Sequence, residues 1–221
     1  MTAPTAAKCL PTYLVVDTST SMAEHQDLLN GLVDHLVDAI GNSPRVAEFA
    51  HMSIITFNTA PHLVLPMSDI ERVDRLPDIT CRGATNYGAM FRLLKVRIDA
   101  DIQELRDSAG RAVLRPAVFI LTDGEPTDQA WSTDFGDLTD QQWRRRPHVI
   151  SFGFGAANPT VLGKIATKAA FLAESAATEQ EAIMTMITSL LKSLVASASA
   201  AEFTIPTKVD GYERVPIEYV D

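Results

Sequence analysis

The sequence of 221 residues contains few cysteines and no long apolar run. Its two cysteines, Cys9 and Cys81, form neither a CxxC pair nor the dense framework of a small secreted domain, which is typical of free thiols in a reducing compartment. No stretch of about eighteen apolar residues occurs, and residues 1–9 lack the apolar core of a signal peptide. We therefore expect a cytoplasmic protein that does not interact with a membrane.

Basic residues are also scarce, since 19 lysines and arginines stand against 28 aspartates and glutamates, a formal net charge of −9. Proteins that follow nucleic-acid phosphates need clustered cations, so nucleic acid is not expected as a partner. The only basic run is Arg144, Arg145 and Arg146. It is predicted to be the exposed end of a short helix, where positive charge is favourable at the negative end of the helix dipole.

Signatures of common enzyme classes are missing. No GxxxxGK[ST] loop accompanies the apolar run that ends at Asp123, and neither a GxSxG nor an HExxH motif occurs. A phosphoaspartyl hydrolase would carry a second acid two residues after Asp17, where Ser19 stands. The sequence therefore favours a binding module that is not an enzyme. One alternative is a Mg²⁺-dependent phosphohydrolase built on Asp17 and Asp123, and another is a structural scaffold whose site stays empty.

Oxygen-bearing side chains stand where two apolar strands are predicted to end. The run YLVV leads into Asp17, Ser19 and Ser21, the run FILT leads into Asp123, and the loop RGATNYG between them carries Thr85. In an open parallel sheet, ligands bind beyond the carboxyl ends of the strands, so these side chains are expected to converge. Carboxylates and hydroxyls are hard ligands of the kind that Mg²⁺ accepts. The same residue types are also ordinary helix N-caps.

These segments resemble the metal-ion-dependent adhesion site of von Willebrand factor A domains over roughly residues 10–195. In that family two serines and a threonine bind a divalent ion directly, and the aspartates act largely through waters. The resemblance implies Ser19, Ser21 and Thr85 as direct ligands. It implies Asp17 and Asp123 as direct or water-mediated ligands, with Mg²⁺, Mn²⁺ or Ca²⁺ as the ion.

Four segments are more narrowly similar to a stand-alone bacterial branch, the TerY type, which is associated with tellurium resistance and stress operons. They are YLVVDTSTSM, HMSIITFNTA, RGATNYGAM and VFILTDGEPTD. The resemblance implies a partner protein that offers an Asp or Glu side chain to the metal. It suggests protein kinases, phosphatases and chaperone-like ATPases of one operon as candidate partners.

Strand and helix patterns alternate along the chain, which predicts a doubly wound, Rossmann-like α/β fold with helices on both faces of the sheet. The sheet is expected to have about six strands, mostly parallel, with an antiparallel edge strand at residues 62–65. We assign residues 8–200 to the domain and residues 201–221 to a tail. Asp210 and Gly211 give a hairpin signal in that tail. Two alternatives stay open, a small hairpin on the domain or an extension that awaits a partner.

Several residues near the predicted site are assigned secondary roles. Among five scattered histidines, His25 stands out because it closely follows Ser21. Trp131 and Trp143 are predicted to anchor the core. The side chains predicted to line the rim of the site are Glu125, Thr127 and Asp128.

Overall fold

The computed structural model describes residues 7–41, 43–69, 77–109 and 112–219. Within these residues eight strands form one sheet. They are β1 (Lys8–Asp17), β2 (Ala50–Phe57), β3 (Pro61–Asp69), β4 (Ala112–Val113), β5 (Ala117–Thr122), β6 (His148–Gly153), β7 (Ala169–Ala173) and β8 (Tyr212–Val215).

A 3-10 helix and six α-helices connect these strands. The 3-10 helix spans Thr20–His25. The α-helices are α1 (Gln26–Gly41), α2 (Pro44–Phe49), α3 (Tyr87–Ala109), α4 (Trp131–Leu138), α5 (Pro159–Lys164) and α6 (Glu179–Ala200). The strand and helix alternation predicted from the sequence is confirmed.

The sheet has the order β3-β2-β1-β5-β6-β7-β8, and the short β4 also pairs with β1. Strands β1, β2, β5, β6 and β7 are parallel, while β3 and β8 pair antiparallel at the two edges. The predicted α/β class and the antiparallel β3 edge are confirmed. The predicted number of about six strands is too low, because β4 has only two residues and β8 comes from the tail.

Side chains of the central strands alternate between two apolar layers, as expected for a sheet covered on both faces. In β1, Leu14 and Val16 face the layer that includes α1 and α6 residues, whereas Tyr13 and Val15 face the layer built with α3 and α4. All four are at most 1% exposed. Because both faces of β1 are buried, the strand is held firmly up to its last residue, Asp17.

The tail adds a strand to the sheet instead of forming its own hairpin. Tyr212 to Val215 pair antiparallel with β7, and Gly211 makes the turn before them with a φ of 71°. The side chain of Tyr212 is 4% exposed and its hydroxyl donates a hydrogen bond of 2.9 Å to the carbonyl of Ala182. The hairpin alternative is therefore wrong, since the partner strand lies in the domain. Residues 220 and 221 lie outside the described residues, and the boundary at residue 200 stays a prediction.

Helix α6 is, by length and composition alone, apolar enough to cross a membrane, and it is the one such helix among the described residues. Half of the stretch that meets this criterion is buried inside the protein. Ile183, Met186 and Leu190 are fully buried on its inner face. The apolar character of α6 is therefore accounted for by the core.

The prediction that Arg144, Arg145 and Arg146 form the end of a short helix is wrong. Helix α4 stops at Leu138, and the arginines follow in turns before β6. Arg145 donates hydrogen bonds to the Asp99 carbonyl at 2.7 Å and to Gln103 Oε1 at 2.8 Å, so it binds the middle of α3. This position precedes the amino end of β6, at the opposite edge of the sheet from the carboxyl ends of the strands.

Candidate metal site

The site lies at the carboxyl ends of β1 and β5, which are adjacent parallel strands. Val16 pairs with Leu121, so the next residues, Asp17 and Thr122, end their strands side by side. On the far side of β1 the chain runs outward through β2, and on the far side of β5 it runs outward through β6. The crevice between β1 and β5 is therefore the topological switch point, where open α/β sheets bind ligands.

The Asp17 carboxylate is fully buried and held by two hydrogen bonds. The backbone N–H of Ser19 donates to Asp17 Oδ1 at 2.8 Å, and the Thr122 hydroxyl donates to Asp17 Oδ2 at 2.7 Å. Burial raises the pKa of Asp17 to about 6, although these hydrogen bonds oppose the rise. The fold therefore orients the carboxylate, and in the described part of the chain no ion pair includes it.

Closely spaced oxygen atoms connect Ser19 and Ser21 to Asp123, the residue that follows β5. The Ser19 and Ser21 hydroxyl oxygens lie 3.1 Å apart, and the Ser21 hydroxyl donates to Asp123 Oδ1 at 2.9 Å. Ser19 and Asp123 are 2% and 7% exposed, while Ser21 is exposed. Burial also raises the pKa of Asp123, and the Ser21 hydrogen bond opposes that effect. These donors therefore form one cluster that opens to solvent at Ser21.

Thr85 reaches the same crevice from the loop before α3. A Cβ atom added to Gly124 would lie 3.4 Å from Thr85 Oγ1 and 3.8 Å from Asp17 Oδ2, so the hydroxyl and the carboxylate flank one point. The backbone holds this loop in place, because Thr127 donates to the Thr85 carbonyl at 2.9 Å and Thr20 donates to the Gly83 carbonyl at 3.0 Å. The structure thus brings all five predicted site residues together.

Two supporting residues were missed from the sequence, Thr122 and Tyr87. The Tyr87 hydroxyl donates to Thr122 Oγ1 at 3.0 Å and also lies 3.1 Å from the Gly124 carbonyl. Thr122 in turn donates a hydrogen bond to Asp17, so Tyr87 supports the carboxylate indirectly. Both residues are fully buried. The available signal was their position, since one immediately precedes Asp123 and the other follows Thr85 by two residues.

The rim differs from the prediction in the role of Asp128. Its carboxylate accepts from the backbone N–H groups of Tyr87 at 2.9 Å and Gly88 at 3.1 Å, so it caps α3 and does not extend the acidic cluster. Glu125 accepts from Asn158 at 2.7 Å on the exposed side. Thr127 supports the Thr85 carbonyl, as described above. Of the three rim candidates, only Glu125 is left to line the open side.

The two tryptophans pack where the sequence predicts. Trp131 and Trp143 are partly buried against the apolar layer under α3 and α4. Trp131 meets Tyr87 edge-on at 6.4 Å between ring centroids. This contact places an aromatic layer directly behind the hydrogen-bond network of the site.

Where the structure describes the chain, no lysine or arginine pairs with the carboxylates of the oxygen cluster. In the described part of the chain, neither Asp17 nor Asp123 forms an ion pair with a lysine or arginine. Two buried carboxylates and three hydroxyls at one strand switch point are a hard-oxygen set suited to a divalent cation. The residues present therefore fit a metal site on chemical grounds.

The profile of the von Willebrand factor type A domain matches residues 13–188, which is most of the chain. The chain belongs to the von Willebrand factor type A family. Domains of this family are generally metal-dependent protein-interaction modules. No curated protein matches the sequence.

Solved structures resemble the fold at low sequence identity. The chain is similar to a von Willebrand factor type A protein from Catenulispora acidiphila (14% identity, TM-score 0.54, covering 87% of this chain and 43% of that one). It is similar to the pilus adhesin SpaC of Lactobacillus rhamnosus GG (14% identity, TM-score 0.60, covering 86% of this chain and 31% of that one). It is also similar to proximal thread matrix protein 1 of the mussel byssus, whose metal-ion-dependent adhesion site holds zinc in that structure (17% identity, TM-score 0.52, covering 87% of this chain and 49% of that one). The chain spans less than half the length of each of these proteins.

Proposed function

We propose that Asp17, Ser19, Ser21, Thr85 and Asp123 hold a divalent cation, and that this type A domain binds a partner protein through it. The observation that carries the proposal is the convergence of these side chains on two buried carboxylates that form no ion pair with a lysine or arginine among the described residues. When bound, the ion supplies a positive charge with a coordination position left for a partner's carboxylate. Mg²⁺ is our first choice, with Mn²⁺ and Ca²⁺ as alternatives.

The residues of the proposed site have different roles in binding. Asp17 is oriented by Thr122 and by the Ser19 backbone before any ion arrives. Such preorganisation lowers the cost of binding because the ligands need little rearrangement. Ser21 is the exposed member, so it marks the side from which a partner approaches.

Charge explains why the partner's acidic group needs the ion. The protein has a net charge of −9, and Asp17, Asp123 and Glu125 all belong to this edge. Two unit charges about 4 Å apart near a surface repel by roughly 4 kcal/mol. A divalent cation reverses the local sign, so an Asp or Glu of the partner is attracted only when the ion is present.

We further propose a biological setting. The similarity to the TerY-type branch supports a role in a bacterial tellurium-resistance or stress system, with an operon-linked kinase, phosphatase or ATPase as partner. The two cysteines, Cys9 and Cys81, are both buried as thiols outside a disulfide, which supports a cytoplasmic location.

The test is capture of partners from the native host, with the wild-type protein, Ser19→Ala and Thr20→Ala as baits. Thr20 is a matched control, because its hydroxyl is not part of the oxygen cluster and alanine keeps the backbone N–H bond of residue 20 to the Gly83 carbonyl that holds the loop. A specific partner should bind wild type and Thr20→Ala in Mg²⁺, be released by EDTA, return with Mg²⁺, and fail to bind Ser19→Ala.

A partner that binds all three baits equally in EDTA would contradict the proposal. A phosphatase assay on the wild type covers the alternative function. Mg²⁺-dependent release of phosphate that is lost in both Asp17→Asn and Asp123→Asn would favour a phosphohydrolase over a binding module.

A further inference from the structure

We propose that Glu24, His25 and Glu179 form a second divalent-metal site, next to the first and selective for a different ion. One ligand atom from each side chain lies within 4.8 Å of the other two. Glu24 and His25 end the 3-10 helix that starts in the Ser21 loop, and Glu179 is the first residue of α6. An ion here would tie the metal-binding loop to the last helix. None of these three residues belongs to the proposed first site, although the charges of Glu179 and His25 act on Asp123.

The histidine is already positioned for this role. Its side chain is only 12% exposed, and its ring packs edge-on against Phe154 at 5.8 Å between centroids. Its Nε2 lies 2.7 Å from Glu179 Oε2. Because packing fixes the ring, a nitrogen is presented to the acidic groups before any ion binds.

To bind a metal, the three ligand atoms, now within 4.8 Å of one another, must move closer together, except for His25 Nε2 and Glu179 Oε2, which must move slightly apart from 2.7 Å. Nitrogen and oxygen ligands of Zn²⁺ lie about 2.0–2.2 Å from the ion, so neighbouring ligands in a tetrahedron are roughly 3.3 Å apart. Glu24 is exposed and the Glu179 side chain is 44% exposed, so both carboxylates are free to rotate inward. The ion would replace the hydrogen bond between His25 and Glu179.

The backbone beside the cluster leaves space for the Glu179 carboxylate. Gly155 has a φ of +58°, and a Cβ atom there would lie 2.8 Å from Glu179 Oε1 and 3.8 Å from the Cβ of Asp123. A positive φ of this size favours glycine. The Glu179 carboxylate therefore lies beside the Gly155 backbone, close to Asp123.

The donor set predicts which ion binds. An imidazole nitrogen with two carboxylates suits Zn²⁺ and other transition metals, whereas a site of oxygens alone suits Mg²⁺. Three protein ligands leave a fourth coordination position for water or for a partner's side chain. The two sites are therefore expected to take different ions from a mixture.

The experiment is a Zn²⁺ titration by calorimetry and a Co²⁺ titration followed by visible absorption, both in excess Mg²⁺. The wild type should bind one equivalent of Zn²⁺ per chain. His25→Gln and Glu24→Gln should lower the Zn²⁺ affinity by about tenfold or more, and the Co²⁺ absorption of a nitrogen-containing tetrahedral site should disappear. Circular dichroism checks the fold, and the exposed Glu24 supplies a variant without packing consequences.

His62→Gln is the matched control, because this exposed histidine lies on β3 away from the cluster. It should bind Zn²⁺ as the wild type does, and so should Ser19→Ala. Unchanged Zn²⁺ affinity in both His25→Gln and Glu24→Gln would overturn the proposal. Loss of Zn²⁺ binding in Ser19→Ala alone would overturn it too, because zinc would then occupy the first site. Failure of Mg²⁺ binding with intact Zn²⁺ binding would contradict only the function proposed above.

Discussion

The Thr122 hydroxyl donates a 2.7 Å hydrogen bond to the buried carboxylate of Asp17, across 105 residues of sequence. It joins the last residue of β5 to the last residue of β1. Tyr87 in turn donates to Thr122, so the start of α3 belongs to the same network. The position of the carboxylate is therefore set jointly by the sheet and by the helix that follows the Thr85 loop.

Replacing Thr122 with valine should weaken Mg²⁺ binding by about tenfold, because supporting groups around metal ligands typically contribute this much. Calorimetry measures the affinity directly. Thr139→Val is a matched control, since this hydroxyl is also buried and bonds the Phe135 carbonyl at 2.8 Å in α4. Equal Mg²⁺ affinity in Thr122→Val and the wild type would show that Thr122 is only a strand residue.

Thr85→Ala should weaken partner binding more than Mg²⁺ binding. Gly83 and Gly88 flank the Thr85 loop, and Gly83 has a φ of +78° that favours glycine. In the family that the sequence resembles, this loop changes its contact with the metal when a carboxylate ligand arrives. Affinities for Mg²⁺ and for the captured partner should be compared in the same variant. Equal losses in the two assays would mean that Thr85 is a static ligand.

The metal-free protein should become less stable as the pH rises. Burial raises the pKa of Asp17 from 3.8 to about 6, so the folded protein holds more protons than the unfolded chain between these values. The free energy of unfolding contributed by Asp17 therefore falls as the pH rises through this window, by about 3 kcal/mol in total. Urea unfolding in EDTA, at pH values on both sides of the window, measures this change.

Asp17→Asn is the control for the pH effect, because the amide does not titrate. In EDTA, the stability of Asp17→Asn relative to the wild type should increase as the pH rises. Added Mg²⁺ should reverse this order by stabilising the wild type. Relief of repulsion with Asp123 contributes less than burial to this effect, because burial is the larger cause of the raised pKa. A pH-independent difference between the two proteins would contradict the electrostatic account.

Tyr212→Ala should destabilise the whole domain by about 3–5 kcal/mol, the usual cost of removing a buried aromatic side chain. Tyr212 packs edge-on against Phe152 at 5.4 Å and is 4% exposed. Tyr219→Ala serves as the comparison, because Tyr219 is only partly buried and bonds the Thr139 carbonyl at 3.1 Å. Equal, small losses for the two variants would show that β8 is not part of the cooperative core.

The convergence of the site was predictable because its signal is local. Apolar runs that stop at Asp17 and at Asp123 locate two strand ends, and parallel strands bring such ends to one edge. The position of Thr85 follows from the loop that precedes a helical pattern. Each of these inferences needs only a few neighbouring residues, and each agrees with where the structure places the side chain.

The features that sequence reasoning missed depend on distant partners. Thr122 reads as an ordinary strand residue, because nothing local indicates a hydrogen bond to Asp17. Asp210 and Gly211 suggest a local hairpin within the tail. Strand β8 pairs instead with β7, and the paired residues nearest in sequence are Ala173 and Tyr212. Arg145 likewise binds α3 residues that its own neighbours do not reveal. Long-range pairing, not local propensity, decided all three.

The central claim is that the five converging side chains bind a divalent cation, and calorimetric titration of Mg²⁺ and Mn²⁺ tests it most directly. The wild type and Thr20→Ala should bind one Mg²⁺ per chain, while Asp17→Ala and Ser19→Ala should bind none and still fold. Unchanged Mg²⁺ and Mn²⁺ affinity in the Asp17 and Ser19 variants would contradict the account.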